Sequence, residues 1–329
     1  FTVKVPSLTT FGEIPLSMTI HGVEMNMGDY AAFEILASPV ITSVETDNKF
    51  SSKAVQVGNT VTIKGTGFRN STISSATFGG QDLNYTVVSD TEITASVSEQ
   101  CAEGEDVITF KFDDVVVDVV SSDKLNMLKA GSDISDYILT NVKQPFESKE
   151  GKASGHCTPV GWQFNYGSGN DGFCHDESKI EEPGEGLYMN DQGGLLVIQS
   201  GWDRLSKKMN GKMFQTFNIP QGVYDVVIDV AELATNGNGR KKAGLFISKG
   251  GEEQTPNMDS SGNWTENTNL LKSVDFYMPG ETYSENYKDR RFVIENLTID
   301  YEGETTLGFV VHFDSNRALK ISSIKVLLK

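Results

Sequence analysis

Apolar residues recur at every second position through most of this 329-residue chain. Residues 61–65, 107–112 and 224–230 show the alternation clearly. A period of two is typical of β-strands that bury one face, because successive side chains point to opposite sides of a sheet. No long stretch of the sequence has the period of an amphipathic helix. The sequence therefore predicts an all-β fold.

An internal repeat divides the first part of the chain, since residues 1–36 align without a gap with residues 93–128. One complete module then spans residues 39–128, residues 1–38 repeat only its closing half, and residues 129–329 form a third region. Half a sandwich leaves an apolar face and a strand edge uncovered. We therefore expect either that further residues precede Phe1 in the native protein or that this half packs on a neighbour.

The charge of the chain limits its partners. The formal net charge is −17, and both parts are acidic, with 7 basic and 17 acidic residues in 1–128 and 21 and 28 in 129–329. Such a field repels nucleic acid, anionic lipid and polyanionic glycans. No apolar run reaches the roughly 20 residues of a membrane-spanning helix. A neutral ligand is the expectation, with no nucleic-acid partner.

The three cysteines leave one unpaired in any pairing scheme. Cys157 and Cys174 bracket a glycine-rich segment and are predicted to form a disulfide or to stay as free thiols, while Cys101 stands alone. A zinc site that also uses His156 and His175 is a third interpretation. Adjacent His-Cys pairs lack the usual spacing of zinc ligands, so we predict no metal and no cofactor.

Several segments in order resemble a known module. The module opens on Pro39-Val-Ile-Thr-Ser-Val44, carries Gly65-Thr-Gly-Phe68 and Phe78-Gly-Gly80, and continues with Ser89-Asp-Thr-Glu-Ile93. This pattern resembles the IPT/TIG immunoglobulin-like module. The resemblance implies a β-sandwich that acts as a spacer more often than as a binding domain.

The third region resembles the galactose-binding-like jelly rolls that follow IPT/TIG modules in surface glycan-binding proteins of starch-utilisation-type (polysaccharide utilisation) systems. The resemblance rests on Gly201-Trp202, on Asn210-Gly-Lys-Met-Phe-Gln-Thr216, on Ile219-Pro-Gln-Gly-Val-Tyr224 and on the closing strand. It implies a larger β-sandwich that binds a neutral polysaccharide, such as a β-glucan or a hemicellulose, without catalysis. It also implies an outer-membrane lipoprotein at the cell surface, anchored outside this chain and partnered with a glycan import complex.

Candidate ligand-binding residues follow from the chemistry of sugars, whose apolar C–H faces stack on flat aromatic rings beside polar side chains. The stacking candidates are Trp162, Tyr166, Trp202 and Trp264, and the polar candidates are Asn165, Asp203 and Arg204. Packing is the alternative for each aromatic residue. It is strongest where Trp162, Phe164 and Tyr166 alternate on one strand face, since such a pattern is more often core.

Two other function classes compete with glycan binding. A glycoside hydrolase needs two carboxylates at a fixed separation, which a sequence cannot display. Neither G-x-S-x-G nor H-E-x-x-H is present, and the four histidines are scattered. We therefore expect a non-enzyme. An adhesin or protein-binding β-array would use the same modules with a protein partner.

Overall fold

The computed structural model of the protein describes residues 12–15, 17–26, 32–36, 38–113, 115, 117–149, 151, 155–156, 159–166, 187–190, 194–200, 209–235, 241–257, 263–277, 286–313 and 317–329. The chain divides into two compact units, Phe1–Lys129 and Ala130–Lys329.

The first unit is built from short strands. Their bounds are β1 (Gly12–Pro15), β2 (Ser17–Ile20), β3 (Val23–Asn26), β4 (Ala32–Ile35), β5 (Val40–Thr46), β6 (Ala54–Val55), β7 (Val61–Thr66), β8 (Ile73–Phe78), β9 (Gln81–Asp82), β10 (Asn84–Ser89), β11 (Glu92–Ser96), β12 (Gly104–Phe112) and β13 (Val119–Met127). Strands β1 and β4 pair with each other, as do β2 and β3.

Strands β5 to β13 form a sandwich of two sheets. A four-stranded sheet in the order β10-β11-β7-β5 packs on a five-stranded sheet in the order β6-β13-β12-β8-β9. One apolar core joins them, with Val61 and Ile63 on one sheet and Phe78 and Phe110 on the other among its buried members. The alternation seen in the sequence thus places one face of each strand in this core.

The Gly-Thr-Gly-Phe turn has a steric role in this core. A Cβ atom at Gly65 would lie 2.4 Å from Cζ of Phe68, so only glycine lets this ring approach the strand. Gly67 takes a φ of 75°, which favours glycine. Phe68 itself is buried. The motif therefore seats one aromatic ring against the end of β7.

The second unit contains one short helix, α1 (Ser135–Ile138), and a 3-10 turn at Glu252–Gln254 among its described residues. Its strands are β14 (Gly155–His156), β15 (Gln163–Tyr166), β16 (Leu187–Asn190), β17 (Leu195–Ser200), β18 (Met209–Asn218), β19 (Gly222–Thr235), β20 (Lys241–Lys249), β21 (Leu270–Asp275), β22 (Tyr287–Ile299), β23 (Glu304–Phe313) and β24 (Arg317–Leu328).

Two antiparallel sheets make up this larger sandwich. The six-stranded sheet has the order β14-β16-β17-β24-β19-β22, and the five-stranded sheet has the order β15-β18-β23-β20-β21. Phe276, which follows β21, links the two sheets. Its ring centroid lies 6.1 Å from that of Phe309 in β23 and 5.0 Å from that of Phe292 in β22. These rings mark the core between the sheets.

The all-β prediction is confirmed, with an immunoglobulin-like sandwich followed by a larger one. No helix among the described residues has the length and hydropathy needed to cross a membrane.

Candidate functional site

The outer face of the five-stranded sheet is apolar at its centre. Met213, Leu245 and Phe309 are matched in register and buried, and Phe309 points into the core. Their neighbours along the strands, Phe214 and Phe246, therefore point to the opposite face. Sheets with one solvated face normally carry polar residues there, so this apolar centre must be covered.

Gly308 allows the two outer phenylalanines to meet across β23. It pairs with Phe214 on one side and Phe246 on the other. A Cβ atom at Gly308 would lie 2.5 Å from Cβ of Phe214 and 2.8 Å from Cζ of Phe246. Phe214, Phe246 and Val310 form a buried cluster against which Trp264 and Leu270 pack. The segment between β20 and β21 thus covers this apolar centre, and we call it the covering segment.

Trp264 is half-buried on this face, with its ring fixed at one edge. Its Nε1–H donates a hydrogen bond of 3.0 Å to Oδ1 of Asp275. A Cβ atom at Gly244 would lie 2.7 Å from Cζ2 of Trp264, so the indole rests directly on the backbone of β20. One edge of the ring therefore packs on the sheet, while part of the side chain stays open to solvent.

Hydrogen bonds hold the segment that carries Trp264. Nζ of Lys212 donates to Oγ1 of Thr255 and lies 3.4 Å from the carbonyl oxygen of Thr255. The backbone N–H of Thr265 donates to the carbonyl of Asn257 at 2.8 Å, and Nδ2 of Asn267 donates to the carbonyl of Gln254 at 3.0 Å. These contacts fix both sides of the tryptophan.

Burial lowers the pKa of Lys212 from 10.5 to about 8, while Glu252 opposes this shift. Taking an ammonium group out of water disfavours its charged form, which is the physical cause of the lowered pKa. The side chain nevertheless keeps oxygen partners on the segment above it. Lys212 therefore ties the covering segment to the sheet through a partly buried cation.

The prediction that Trp162 binds ligand is wrong. Its side chain is only 2% exposed, its Nε1–H donates to the carbonyl of Asn141 at 2.9 Å, and its ring stacks on Phe309 at 5.7 Å. A sugar has no access to a ring enclosed in this way. The alternation of Trp162 with Phe164 on one strand face was the signal for a core position.

The other predicted residues are described in part or not at all. The backbones of Asn165 and Tyr166 lie in β15, paired with Lys212 and Gly211 of β18, and their side chains lie outside the described residues. Trp202, Asp203 and Arg204 also lie outside them, as does the pairing of Cys157 and Cys174. The described free cysteine, Cys101, is buried, and its thiol donates to the carbonyl of Phe78 at 3.3 Å.

Several residues at this site were not identified from the sequence. The sequence could have indicated Gly244, because a glycine inside a strand often marks a site where another group approaches the backbone closely. Nothing in the sequence indicated Asp275 or Lys212, since each stands in an ordinary alternating strand and its hydrogen-bond partner lies on another segment. Their roles depend on strand register, which fixes Asp275 opposite Gly244.

A separate cleft of about 340 Å³ lies on the outer face of the six-stranded sheet. Arg291 donates to both carboxylate oxygens of Asp229, at 2.7 and 3.2 Å, and Ser323 donates to Oδ2 of Asp229 at 2.7 Å. The hydrogen bond from Arg291 is the main cause of the lowered pKa of Asp229. Among the described residues, no group of three or more His, Cys, Asp or Glu side chains is placed to hold a metal ion.

Two family models match the chain. The IPT/TIG domain matches residues 39–124, and a domain of unknown function, DUF5013, matches residues 140–272. No curated protein matches in sequence.

Solved structures of carbohydrate-binding proteins are among those similar to the chain. TmCBM61, solved with β-1,4-galactotriose, is 14% identical, with 52% of this chain and 90% of that one covered and a TM-score of 0.29. A surface glycan-binding protein of Prevotella bryantii is 11% identical, with 89% and 99% covered and a TM-score of 0.24. A Bacteroides ovatus protein of mixed-linkage glucan utilisation is 10% identical, with 96% and 92% covered and a TM-score of 0.20.

At these identities and TM-scores, the similarity does not identify a ligand of this chain. The predicted resemblance is confirmed where the family model matches. Residues 39–124 are an IPT/TIG domain, and they are followed at residues 140–272 by a segment similar to the DUF5013 family.

Proposed function

We propose that the C-terminal unit binds a neutral polysaccharide without catalysis, at the outer face of its five-stranded sheet, with Trp264 as a stacking surface. The observation that carries the proposal is the half-buried indole whose N–H is already bonded to Asp275 and whose edge rests on Gly244. A ring fixed in this way loses little rotational freedom when a ligand arrives, so more of the contact energy contributes to binding.

The surroundings of Trp264 suit a sugar. Asn263, Glu266 and Ser273 are exposed neighbours with amide, carboxylate and hydroxyl groups that can meet sugar hydroxyls. If the open part of an indole covers roughly 60 Å² of an apolar sugar face, burial contributes on the order of 1.5 kcal/mol. Two or three such contacts reach millimolar to micromolar affinity. Because a polymer offers many repeats, this range suffices for capture.

The charge of the chain supports a neutral ligand. The net charge of −17 opposes acidic glycans.

The finer parts of the proposal are the class of glycan, the further residues of the site and the role of the IPT/TIG domain. A β-glucan or hemicellulose is the proposed ligand, since extended chains of equatorial sugars present flat faces to a flat ring. Trp202, Asn165, Asp203 and Arg204 are proposed to extend the site. Tyr166 shares a strand face with the buried Trp162 and is not included in it. The IPT/TIG domain is proposed to act as a spacer for a cell-surface lipoprotein that works beside a glycan import complex.

A panel of soluble polysaccharides tests the function. The 329-residue chain is titrated by calorimetry against neutral β-glucans, hemicelluloses and acidic glycans, and reducing-sugar release is measured in parallel. Binding to a neutral polymer without product supports the proposal. Product formation would indicate a hydrolase, and absence of binding to every glycan would favour a protein partner.

A further inference from the structure

The outer face of the six-stranded sheet carries an ion pair that points away from the core. Ile228 in β19 and Phe292 in β22 are buried, so their strand neighbours Asp229 and Arg291 point to the opposite face. Asp229 and Arg291 stand directly opposite each other across the two strands. Their side chains are 24% and 64% exposed. The pair lines the cleft of about 340 Å³ on this face.

The strands around this cleft depart from regular sheet geometry. The register of β19 with β24 shifts between Asp229 and Val230, and again between Val230 and Glu232. On the other side of β19, Asp289 of β22 takes a φ of 51°, in the left-handed region. Asp229, Val230 and Asp289 all line the cleft. Irregularities of this kind are over-represented beside functional sites, because they redirect side chains.

The ion pair keeps hydrogen-bonding capacity towards the cleft. Nε and Nη2 of Arg291 donate to Asp229 at 2.7 and 3.2 Å. Within the described part of the chain, this pairing leaves about three of the N–H donors of the guanidinium for a ligand. Asp229 also accepts from Ser323 at 2.7 Å, so roughly one of its acceptor positions stays open. A donor and an acceptor side by side match two adjacent hydroxyl groups.

The charges that line the cleft balance one another. The charged groups are two carboxylates and two guanidinium groups, those of Asp229, Asp289, Arg290 and Arg291. An anion would have to displace Asp229 from its two-point contact with Arg291, and a cation would meet two arginines. A neutral ligand with several hydroxyl groups meets neither obstacle. The guanidinium of Arg290 lies 4.0 Å from the ring centroid of Tyr287, which holds this wall of the cleft in place.

We propose that this cleft is a second saccharide site, where Arg291 donates to one hydroxyl of a neutral sugar and Asp229 accepts from the adjacent hydroxyl. The inference rests on the proposed function for the nature of the ligand. A volume of about 340 Å³ lies near the lower end of the range of about 300 to about 1,000 Å³ for small-molecule sites. The cleft thus suits a short stretch of glycan.

The two sites lie on opposite sides of the sandwich. Trp264 packs on the outer face of the five-stranded sheet, whereas Arg291 stands on the outer face of the six-stranded sheet. Because the core separates the two sheets, a short oligosaccharide cannot contact both sites. None of the described residues that line the cleft is aromatic, so we expect affinity in the millimolar range. One chain should therefore join two separate glycan chains.

A single NMR titration of the 329-residue chain reports on both sites. The Nε–H of Arg291 and the indole Nε1–H of Trp264 give separate signals, which are assigned by their loss in Arg291→Lys and Trp264→Ala. The probes are tetrasaccharides of β-1,4-linked glucose, xylose, mannose and galactose. Glycerol is the control for a general effect of hydroxyl groups, and the Nε–H of Arg69, in the first unit, is the internal reference.

We expect the Arg291 signal to shift with at least one tetrasaccharide, to saturate in the millimolar range, and to shift equally in Trp264→Ala. The Arg69 signal should stay unchanged. A shift of the Trp264 signal alone would overturn the second site and leave the proposed function standing. A shift of the Arg291 signal alone would uphold the second site and contradict the site at Trp264. Equal shifts with glycerol, or no shift of either signal, would overturn the second site.

Cross-linking of a polymer tests the same inference in solution. Light scattering is followed while each variant is mixed with the polysaccharide of the panel that binds best. Arg291→Lys keeps the charge but loses the planar fork, so it should raise scattering at least about fivefold less than the native chain. Lys325→Met, at an exposed position of β24 outside the cleft, is the matched control and should scatter as the native chain does. Native scattering in Arg291→Lys would overturn the second site.

Discussion

Trp264 and Asp275 are joined by a hydrogen bond of 3.0 Å from the indole Nε1 to the carboxylate Oδ1. The bond satisfies the one polar atom of the ring, and Cζ2 on the same edge of the indole rests on Gly244, so the two contacts together set the orientation of the ring on the sheet. An aromatic residue that is held at one edge and open elsewhere is prepared for stacking. The proposed site depends on this pair.

Asp275→Ala should weaken glycan binding by about three- to tenfold, because the indole loses the acceptor that orients it. Asp275→Asn is the matched control, since its amide oxygen can accept the same hydrogen bond and should retain most of the affinity. Calorimetry with the best polysaccharide of the panel measures both. Equal losses in the two variants would show that the carboxylate charge, rather than the orientation of Trp264, matters.

Gly244→Ala should displace Trp264 and destabilise the domain by about 1–3 kcal/mol, as overpacking does in well-packed sites. The added Cβ would lie 2.7 Å from the indole and 2.6 Å from the carbonyl oxygen of Val274. Urea unfolding measures the stability, and near-ultraviolet circular dichroism follows the aromatic environment. Gly251→Ala is the control, because its Cβ would meet only the flexible ends of Glu304 at 3.1 Å and Gln254 at 4.0 Å.

Lys212 should make stability rise with pH in the alkaline range. Its pKa is about 8 in the folded chain, against 10.5 for a lysine in water, so between these values the unfolded chain binds more protons. Below pH 8 both states are protonated and the contribution is constant.

The free energy of unfolding of the native protein should therefore increase relative to that of Lys212→Met as pH rises from about 8 to about 10. Urea unfolding at half-unit steps measures this difference, and Lys272→Met, at an exposed position of β21, serves as the control. A difference that is flat across this range, or that changes in the opposite direction, would contradict the burial of a protonated lysine.

Trp162→Ala should cost about 3–5 kcal/mol of stability, because it removes a buried ring and leaves a cavity beside Phe309. Trp162→Phe should cost less, since it keeps a ring for stacking and loses the hydrogen bond to Asn141. Thermal unfolding measures both variants. A melting temperature unchanged by Trp162→Ala would place the indole outside the core.

The fold was predictable because its signal is local. Alternation in β7 and β19 identifies strands without knowledge of their partners, and the repeat at an offset of 92 marks the module through residue identities alone. The apolar pattern that puts Trp162 beside Phe164 likewise indicated packing. These features depend on residues that are near one another in the sequence or that recur at a fixed spacing.

The candidate site was only partly predictable because its contacts are non-local. Trp264 was identified from the polar composition of its segment, yet its exposure depends on Gly244, Asp275 and the cluster around Phe214. These residues meet only through the register of β18, β23, β20 and β21. One sequence does not reveal register, so a tryptophan in a loop and a tryptophan against a sheet look alike.

The affinity of Trp264→Ala for the best-bound polysaccharide, measured by calorimetry beside that of Leu270→Ala, tests the central claim most directly. Both residues pack on the cluster of Phe214, Phe246 and Val310, so the pair separates packing from stacking. We predict that Trp264→Ala loses at least about tenfold in affinity while Leu270→Ala binds as the native chain does. Native affinity in Trp264→Ala, with its fold intact by circular dichroism, would contradict the account.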